Sequence, residues 1–492
     1  MQINRQGSGL ILAIVVAASA AGCKTMTETP PSAASADYVF KGGFPTAESV
    51  RKAYDDADLS RAIQAYKFFY PTVAFSTGFM SLETVSIKTN RSAALLEGNP
   101  KQLVYTPNSD TPYALVPLDL KVGPMVVELP PGPLMCVVND LNQRYVMDLG
   151  LPGPDAGRGG KHLILPPGYK GEVPKGYYVG AATTNRVMLI LRALPVNGDV
   201  RGAVARMKTV KVRPLRPVVG WPQTEWIDIS KRDWDSTPVT LETSLKYWEV
   251  LHQIIEAEPP FEPYRMNYGE LAALGIEKGK PFAPDARLQE ILEKAAKLAN
   301  AQMRVQSFAD RRPDRIAWPD RKWEWASLRP ENGTFDLPAY KDLEAREKWF
   351  YPAMVESPAM FRRSAGAGSL YWLGLRDGAG AFLDGSKTYK LAVPLPVPAK
   401  LFWSVTIYDP NTRSEIKTPK GKAALRSLVE LQDAADSKSM DLYFGPSAPA
   451  GQTIRWIQTI PGKGWFTYFR IYGPERPAFD GSWRPGDFEE VK

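Results

Sequence analysis

The chain changes texture three times along its length. From 46 to 70 (TAESVRKAYDDADLSRAIQAYKFFY) the pattern predicts a helix, which Pro71 is expected to end. Strand-like text begins near Leu103 and continues in short runs at 114–118, 125–129, 134–138, 145–149, 163–165, 177–181 and 187–191. Turn-forming clusters such as Pro130-Pro131-Gly132 and Pro166-Pro167-Gly168 separate these runs. Short strands at regular spacing predict a β-sandwich. After Trp226 the period becomes helical. Leu241, Leu245, Trp248, Leu251, His252 and Ile255 share one face, as do Leu288, Ile291, Leu292, Ala295, Leu298 and Ala299. Strand texture returns after about residue 365, at 389–393, 400–408, 439–444, 452–458 and 465–472. The fold class expected is mainly β with a helical insert: two sandwiches joined by helices.

Bulk numbers agree with this reading. A chain of 492 residues suggests about two to four domains. An aromatic content of 11% argues against disorder over most of the length. The 39 Gly and 44 Pro suit many turns between short strands. The net charge of +8 gathers most densely at Arg201, Arg206, Lys208, Lys211, Arg213 and Arg216. That stretch reads either as a site for phosphates or anionic headgroups or as a solvated strand and linker, the commoner case. No nucleic-acid module is recognisable, so no nucleic-acid partner is expected. With only Cys23, Cys136, His162 and His252, a zinc site cannot be built from Cys and His in the mature chain. No metal or cofactor is called, although a carboxylate-only Ca²⁺ or Mg²⁺ site stays open.

The first 22 residues read as an export signal. Arg5 precedes an apolar run from Leu10 to Ala21, too short for a bilayer span of about 20 residues. It ends in Ala20-Ala21-Gly22-Cys23, which resembles the lipobox of bacterial lipoproteins, with Ala20 where Leu is usual. The resemblance implies lipidation at Cys23, a membrane partner through that anchor, and, from Lys24, the periplasmic face of the outer membrane in a Gram-negative cell. Residues 23–37, rich in Thr, Ser, Ala and Pro, read as a tether. Cys136, in an apolar strand, reads as a buried small hydrophobe without a disulfide partner. His252 reads as a core histidine, and His162, after the turn GRGGKH, as an exposed one.

Motifs for a nucleophile elbow, a zinc protease, a P-loop and a dinucleotide fold are absent. Two polar constellations remain. Thr106-Pro107-Asn108-Ser109-Asp110-Thr111-Pro112-Tyr113 packs a carboxylate, an amide, hydroxyls and a phenol into a stiff segment at a strand entry. It reads as a capped turn or as a cleft wall for a polyol, sugar or cation, with Asn108, Asp110 and Tyr113 turned to the ligand. Arg144 and Asp148 share a face at period two, as an ion pair or a ligand clamp, and Arg144 is the expected counter-charge of Asp110.

Two long stretches, TPNSDTPYALVPLDLKVGPMVVELPP and GPDAGRGGKHLILPPGYKGEVPKGYYVGAATTNRVMLILR, resemble the bacterial family of domain of unknown function 1254. LPVPAKLFWSVTIYDPNTRSEI and WFTYFRIYGPERPAFDGSWRPGDFEEV resemble its usual partner, domain of unknown function 1214. The resemblance implies an Ig-like sandwich over 38–225, a helical linking segment over 226–365 and a jelly-roll-like sandwich over 366–492. It adds Trp403, Ser404, Tyr408, Arg470 and Tyr472 to the motif polar residues. The expected function is an envelope lipoprotein that binds a polar small molecule or glycan. The alternative is a hydrolase or lyase with Asp110 or Asp148 as acid or base and Arg144 or Arg470 stabilising an anion.

Overall fold

The computed structural model describes residues 38–328, 334–366, 368–432 and 437–491. The expected leader, Cys23 and the tether lie outside the described residues. By its packing the chain divides into residues 1–56 and residues 57–492. In the first unit Phe40–Lys41 and Phe44–Pro45 pair antiparallel, and the Ser49 N–H donates to the Thr46 hydroxyl at the start of helix α1 (Ala47–Thr84).

Both sandwiches belong to the second unit. The strands of the first are β1 (Ser92–Glu97), β2 (Pro112–Asp119), β3 (Met125–Leu129), β4 (Met135–Asp140), β5 (Tyr145–Gly150), β6 (Gly160–Leu165), β7 (Tyr178–Ala181), β8 (Arg186–Arg192), β9 (Lys211–Pro214) and β10 (Glu225–Asp228). They form a six-stranded sheet, β10-β1-β2-β8-β4-β5, over a four-stranded sheet, β7-β6-β3-β9. Most neighbours run antiparallel, but β10 is parallel to β1 and β7 to β6. Period two divides the residues between faces. Ala114, Val116, Leu118, Val187, Leu189 and Leu191 fill the space between the sheets. Leu115, Met188 and Ile190 point out of the other face, against a helical layer.

That layer is α1 with α2 (Leu245–Ala257), α3 (Arg265–Ala273) and α4 (Ala286–Phe308), packed through Tyr66, Trp248, Leu251, Leu292 and Met303. The helix at 46–70 was expected to stop at Pro71, yet α1 runs on to Thr84. Proline costs a helix an N–H and crowds the preceding turn. Here Arg346 Nη1 donates to the Phe68 carbonyl at 2.7 Å and Gln143 Nε2 to the Pro71 carbonyl at 2.8 Å. Burial of Phe69, Tyr70, Val73 and Ala74 on both sides of Pro71 outweighs what remains of the penalty.

The second sandwich comprises β11 (Glu324–Trp325), β12 (Ser369–Gly374), β13 (Tyr389–Pro394), β14 (Ala399–Tyr408), β15 (Ala424–Arg426), β16 (Ser439–Gly445), β17 (Trp456–Gln458), β18 (Phe466–Pro474) and β19 (Phe488–Glu490). Its sheets are β11-β12-β18-β14-β15 and β17-β16-β13-β19, packed over Leu391, Val405, Ile407, Leu442, Phe469 and Ile471. The segment at 226–365 does more than link. It begins within β10, an edge strand of the first sheet, and gives β11 to the edge of the second. Among the described residues no helix is long and apolar enough to cross a membrane.

Both histidines depart from expectation. His162 is fully buried, because β6 is an inner strand of its sheet; its Nε2 lies 3.2 Å from Asp155 Oδ1 and its ring stacks on Tyr178. His252 is only half-buried at the edge of the α2 stripe, where Nε2–H donates to the Lys280 carbonyl at 2.8 Å. Cys136 is buried and free, as read. In the basic stretch Arg201, Lys208, Lys211 and Arg216 are exposed, while Arg213 pairs with Glu128 at 2.7 Å.

One buried ion pair pins the second sandwich to the helical layer. Arg413, on the turn that follows β14, is wholly buried and bonds Glu242 at 2.8 Å. Tyr70 Oη donates to the same carboxylate at 2.8 Å, and the guanidinium lies 4.6 Å from the Tyr105 ring and 4.4 Å from that of Tyr351. Arg413→Met leaves Glu242 buried and unpaired, so urea unfolding is expected to show a loss of about 3–5 kcal/mol. The double change with Glu242→Leu is expected to recover most of that loss. Equal losses from the single and the double variant would remove the pair from this role.

Candidate functional site

The segment Thr106–Thr111 leaves the first sandwich and lies across the outer face of the second. Arg470 Nη2 donates to the Thr106 carbonyl at 2.7 Å. Tyr408 Oη donates to the Pro107 carbonyl at 2.6 Å. Asn108 Nδ2 donates to Tyr472 Oη, and Arg426 Nη1 donates to the Ser109 carbonyl at 2.7 Å. Ser404 Oγ donates to Asp110 Oδ2 at 2.7 Å. The Thr106 N–H donates in turn to the Arg413 carbonyl at 2.7 Å. Thr106 holds φ at 36°, unusual for a β-branched residue, with its N–H and C=O both fixed by these bonds.

Beside this seam lies a cavity of about 490 Å³. One wall is the outer face of the six-stranded sheet, through Leu115, Val137, Met188 and Ile190. A second is formed by Tyr371, Tyr468 and Tyr472 of the second sandwich. Trp349, Met354, Val355 and Met360, around the short helix α5 (Pro358–Phe361), close a third side. The lining is largely apolar, and its polar groups include Asn108, Tyr113, Arg192, Arg470 and Asp148.

The expected site residues separate into three groups. Asn108, Tyr113, Asp148 and Arg470 line the cavity. Asp110 and Tyr408 sit behind its wall as part of the seam. Asp110 is buried, and burial raises its carboxyl above the ordinary range, against the Ser404 hydrogen bond and the charges of Arg470, Arg426 and Arg192. Its Oδ2 accepts from Ser404, its Oδ1 is buried with no partner, and the residue does not line the cavity.

Arg144 and Trp403 belong elsewhere. Trp403 packs in the core of the second sandwich, its ring 5.4 Å from that of Phe469. It is odd-numbered in a strand whose even positions Ser404 and Tyr408 face the seam. Arg144 lies 3.7 Å from Asp336 and 5.1 Å from the Phe261 ring, and it pairs with neither Asp148 nor Asp110. The physical reason is a bulge. Val138 pairs with Met147 but Asn139 with Tyr145, so Val146 is an extra residue and the parity between 144 and 148 is broken. Asp148 instead accepts from the Ser357 hydroxyl and the Ala359 N–H, and burial pushes its carboxyl up to about 7.

Sequence reading missed Arg192 and the residues of 349–360. Arg192 had a signal: it stands in register with Met188 and Ile190 on a covered face, where a charge is out of place. Its Nε donates to Thr111 Oγ1 at 3.0 Å, and its guanidinium lies between the rings of Tyr113 and Tyr472, 4.8 Å and 5.0 Å from their centroids. Among the described residues no three of His, Cys, Asp and Glu gather as a metal site.

Two family models match this chain. Residues 89–214 match the family described as Protein of unknown function (DUF1254), and residues 368–476 match Protein of unknown function (DUF1214), in that order. Both sides of the seam fall inside these spans, Thr106–Thr111 and Arg192 in the DUF1254 match, Ser404, Tyr408, Arg426, Arg470 and Tyr472 in the DUF1214 match. No curated protein matches the chain. Among solved structures it is similar to the VPA0106 protein from Vibrio parahaemolyticus, with 18% identity and a TM-score of 0.56 over 88% of this chain and 100% of that one. That likeness shows a shared fold. A putative uncharacterized protein from Burkholderia cenocepacia is more distant, at 10% identity and a TM-score of 0.38 over 91% and 97% of the two chains.

The Asp148 carboxyl makes the stability of this region depend on pH. Its folded pKa lies above the ordinary 3.8, so folding favours the protonated form. That contribution is complete below about pH 4 and is lost as pH rises through about 7. Asp148→Asn is therefore expected to gain roughly 2–3 kcal/mol on wild type between pH 5 and pH 8, about two pKa units' worth. Urea unfolding at the two pH values reads it, and a difference that does not change with pH would contradict the assignment.

Proposed function

We propose that this protein is an envelope-anchored binding protein that takes one small molecule, with an apolar body and a polar head, into the cavity between its sandwiches. The observation that carries the reading is the cavity itself. Its volume of about 490 Å³ falls within the roughly 300–1,000 Å³ of small-molecule sites, which are mostly apolar with a few convergent polar groups. The lining shifts the ligand away from a polyol or glycan. Leu115, Val137, Met188 and Ile190 offer sugar hydroxyls no partners, and a buried hydroxyl without a partner is costly. The anchor belongs to the same proposal and rests on the lipobox-like end of the leader at Cys23.

A second reading, acid–base chemistry at Asp148, has one observation in its favour: a cavity-lining carboxyl titrating near neutrality. Binding is the better supported, because Asp148 already accepts hydrogen bonds from Ser357 and Ala359 and no second acid or base is hydrogen-bonded to it.

Thermal unfolding with a series of medium-chain alkyl compounds and oligosaccharides tests the proposal. The alkyl compounds are expected to raise the melting temperature, with about 2.7 kcal/mol of added stability at 100 times Kd. Oligosaccharides are expected to have no effect, and Ile190→Trp, which fills the cavity, should abolish the response. Stabilisation by sugars alone, or an undiminished response in Ile190→Trp, would defeat the reading. For the anchor, Cys23→Ala is expected to move the protein from the membrane to the soluble fraction; unchanged membrane association would count against lipidation.

A further inference from the structure

The polar end of the cavity holds two guanidiniums, neither of which forms an ion pair with a described residue. Arg192 and Arg470 both line it. Arg192 donates through Nε to Thr111 and through Nη1, at a long 3.5 Å, to Tyr472 Oη, while Nη2 is buried with no partner. Arg470, 3% exposed, donates to two neutral oxygens, those of Tyr408 and Thr106. Among the described residues neither guanidinium has a carboxylate within 4.0 Å. The neighbouring arginines differ: Arg413 has Glu242 at 2.8 Å and Arg426 has Glu430 at 2.5 Å. The other carboxyls nearby, Asp110 and Glu415, are buried, and burial raises both, Glu415 to about 7. Asp110 also carries the Ser404 hydrogen bond.

A guanidinium cannot shed its proton, so its charge persists wherever it is placed. Two such charges out of water, facing rings and neutral oxygens, are poorly compensated. The tyrosine faces offset part of the cost through cation–π contact, but they leave an unused buried N–H on Arg192. An anion would supply what is missing, and a planar carboxylate matches the guanidinium geometry with few donors. We propose that the ligand is a monocarboxylate with a hydrocarbon body, its head held by Arg192 and Arg470 and its body along Leu115, Val137, Met188 and Ile190. This inference rests on the cavity being the ligand site, as proposed above.

Dodecanoate and dodecan-1-ol share a hydrocarbon chain and differ in the head. Calorimetric titration of the purified full chain at pH 8 is expected to show dodecanoate binding at least about tenfold tighter, the scale of one charge-assisted hydrogen bond. Arg192→Met is expected to remove that preference while leaving dodecan-1-ol binding within about threefold. Equal binding of the two by wild type, blocked for both in Ile190→Trp, would overturn the carboxylate head and leave the cavity reading standing. Failure of both to bind wild type, or binding undiminished in Ile190→Trp, would overturn the cavity reading and this inference with it. The wild-type comparison needs no variant, so it decides the question even where Arg192→Met does not fold.

Discussion

The structure depends on a strip of hydrogen-bond acceptors laid against a face of donors. Pro107 and Pro112 remove two N–H groups from the strip, and the carbonyls of Thr106, Pro107 and Ser109 are left pointing away from the first sandwich. The second sandwich answers with side chains that donate: Arg470, Tyr408 and Arg426. Each bond adds only about 1 kcal/mol net, but each one lost leaves a buried polar group without a partner, at about 1–3 kcal/mol. The seam is therefore favoured less by the strength of any one contact than by the cost of opening several at once. The polar crowding of Thr106-Pro107-Asn108-Ser109-Asp110-Thr111, which on sequence grounds suggests a ligand site, is first of all a docking strip between two halves of one chain.

The cavity is a consequence of that docking. Its walls come from both sandwiches, Met188 and Ile190 on one side and Tyr371 and Tyr468 on the other. Held at the distance the strip sets, the two faces enclose space that the stretch from Trp349 to Met360 closes. The Arg413–Glu242 pair braces the arrangement from the helical side. Each surface alone would be a water-exposed apolar patch, so the seam and the cavity stabilise one another. The four helices of the layer, α1 to α4, lie outside both matched family spans, yet they cover the rest of the first sheet's outer face.

Much of this was legible in the sequence where period two holds. Alternation in β14 separates Trp403 from Ser404 and Tyr408, and alternation in β8 sets Arg192 beside Met188 and Ile190; both facts lay in the letters, although only the structure says which face is covered. What could not be read arises where a long-range contact overrides a local rule. A bulge at Val146 breaks the parity of Arg144 and Asp148, and no local signal marks it. Pro71 should have ended a helix, but Arg346 and Gln143, distant in sequence, bond the carbonyls of Phe68 and of Pro71 itself. His162 follows glycines that suggest an exposed turn, but its strand is flanked by neighbours on both sides. Asp110 and Tyr408 stand out in the letters, and the structure sets both in the seam; a polar cluster made for a partner sheet and one made for a ligand share a composition.

That ambiguity is resolved by asking which polar groups remain unsatisfied once the chain has folded. Asn108, Asp110, Tyr408, Arg426 and Ser404 each meet a partner across the seam. Arg192 reaches Tyr472 across the seam only at a long 3.5 Å; one of its N–H groups is buried without an acceptor, and its charge faces tyrosine rings and neutral oxygens. Folding alone gives no reason to keep such a group: a Met in its place would continue the apolar face of β8 without the cost of burying a guanidinium. A charge that the fold leaves uncompensated, at the end of an apolar cavity, marks where the molecule is incomplete without something else. The seam accounts for most contacts of the conspicuous residues, and the buried N–H that Arg192 keeps unmet is what the proposed ligand would satisfy.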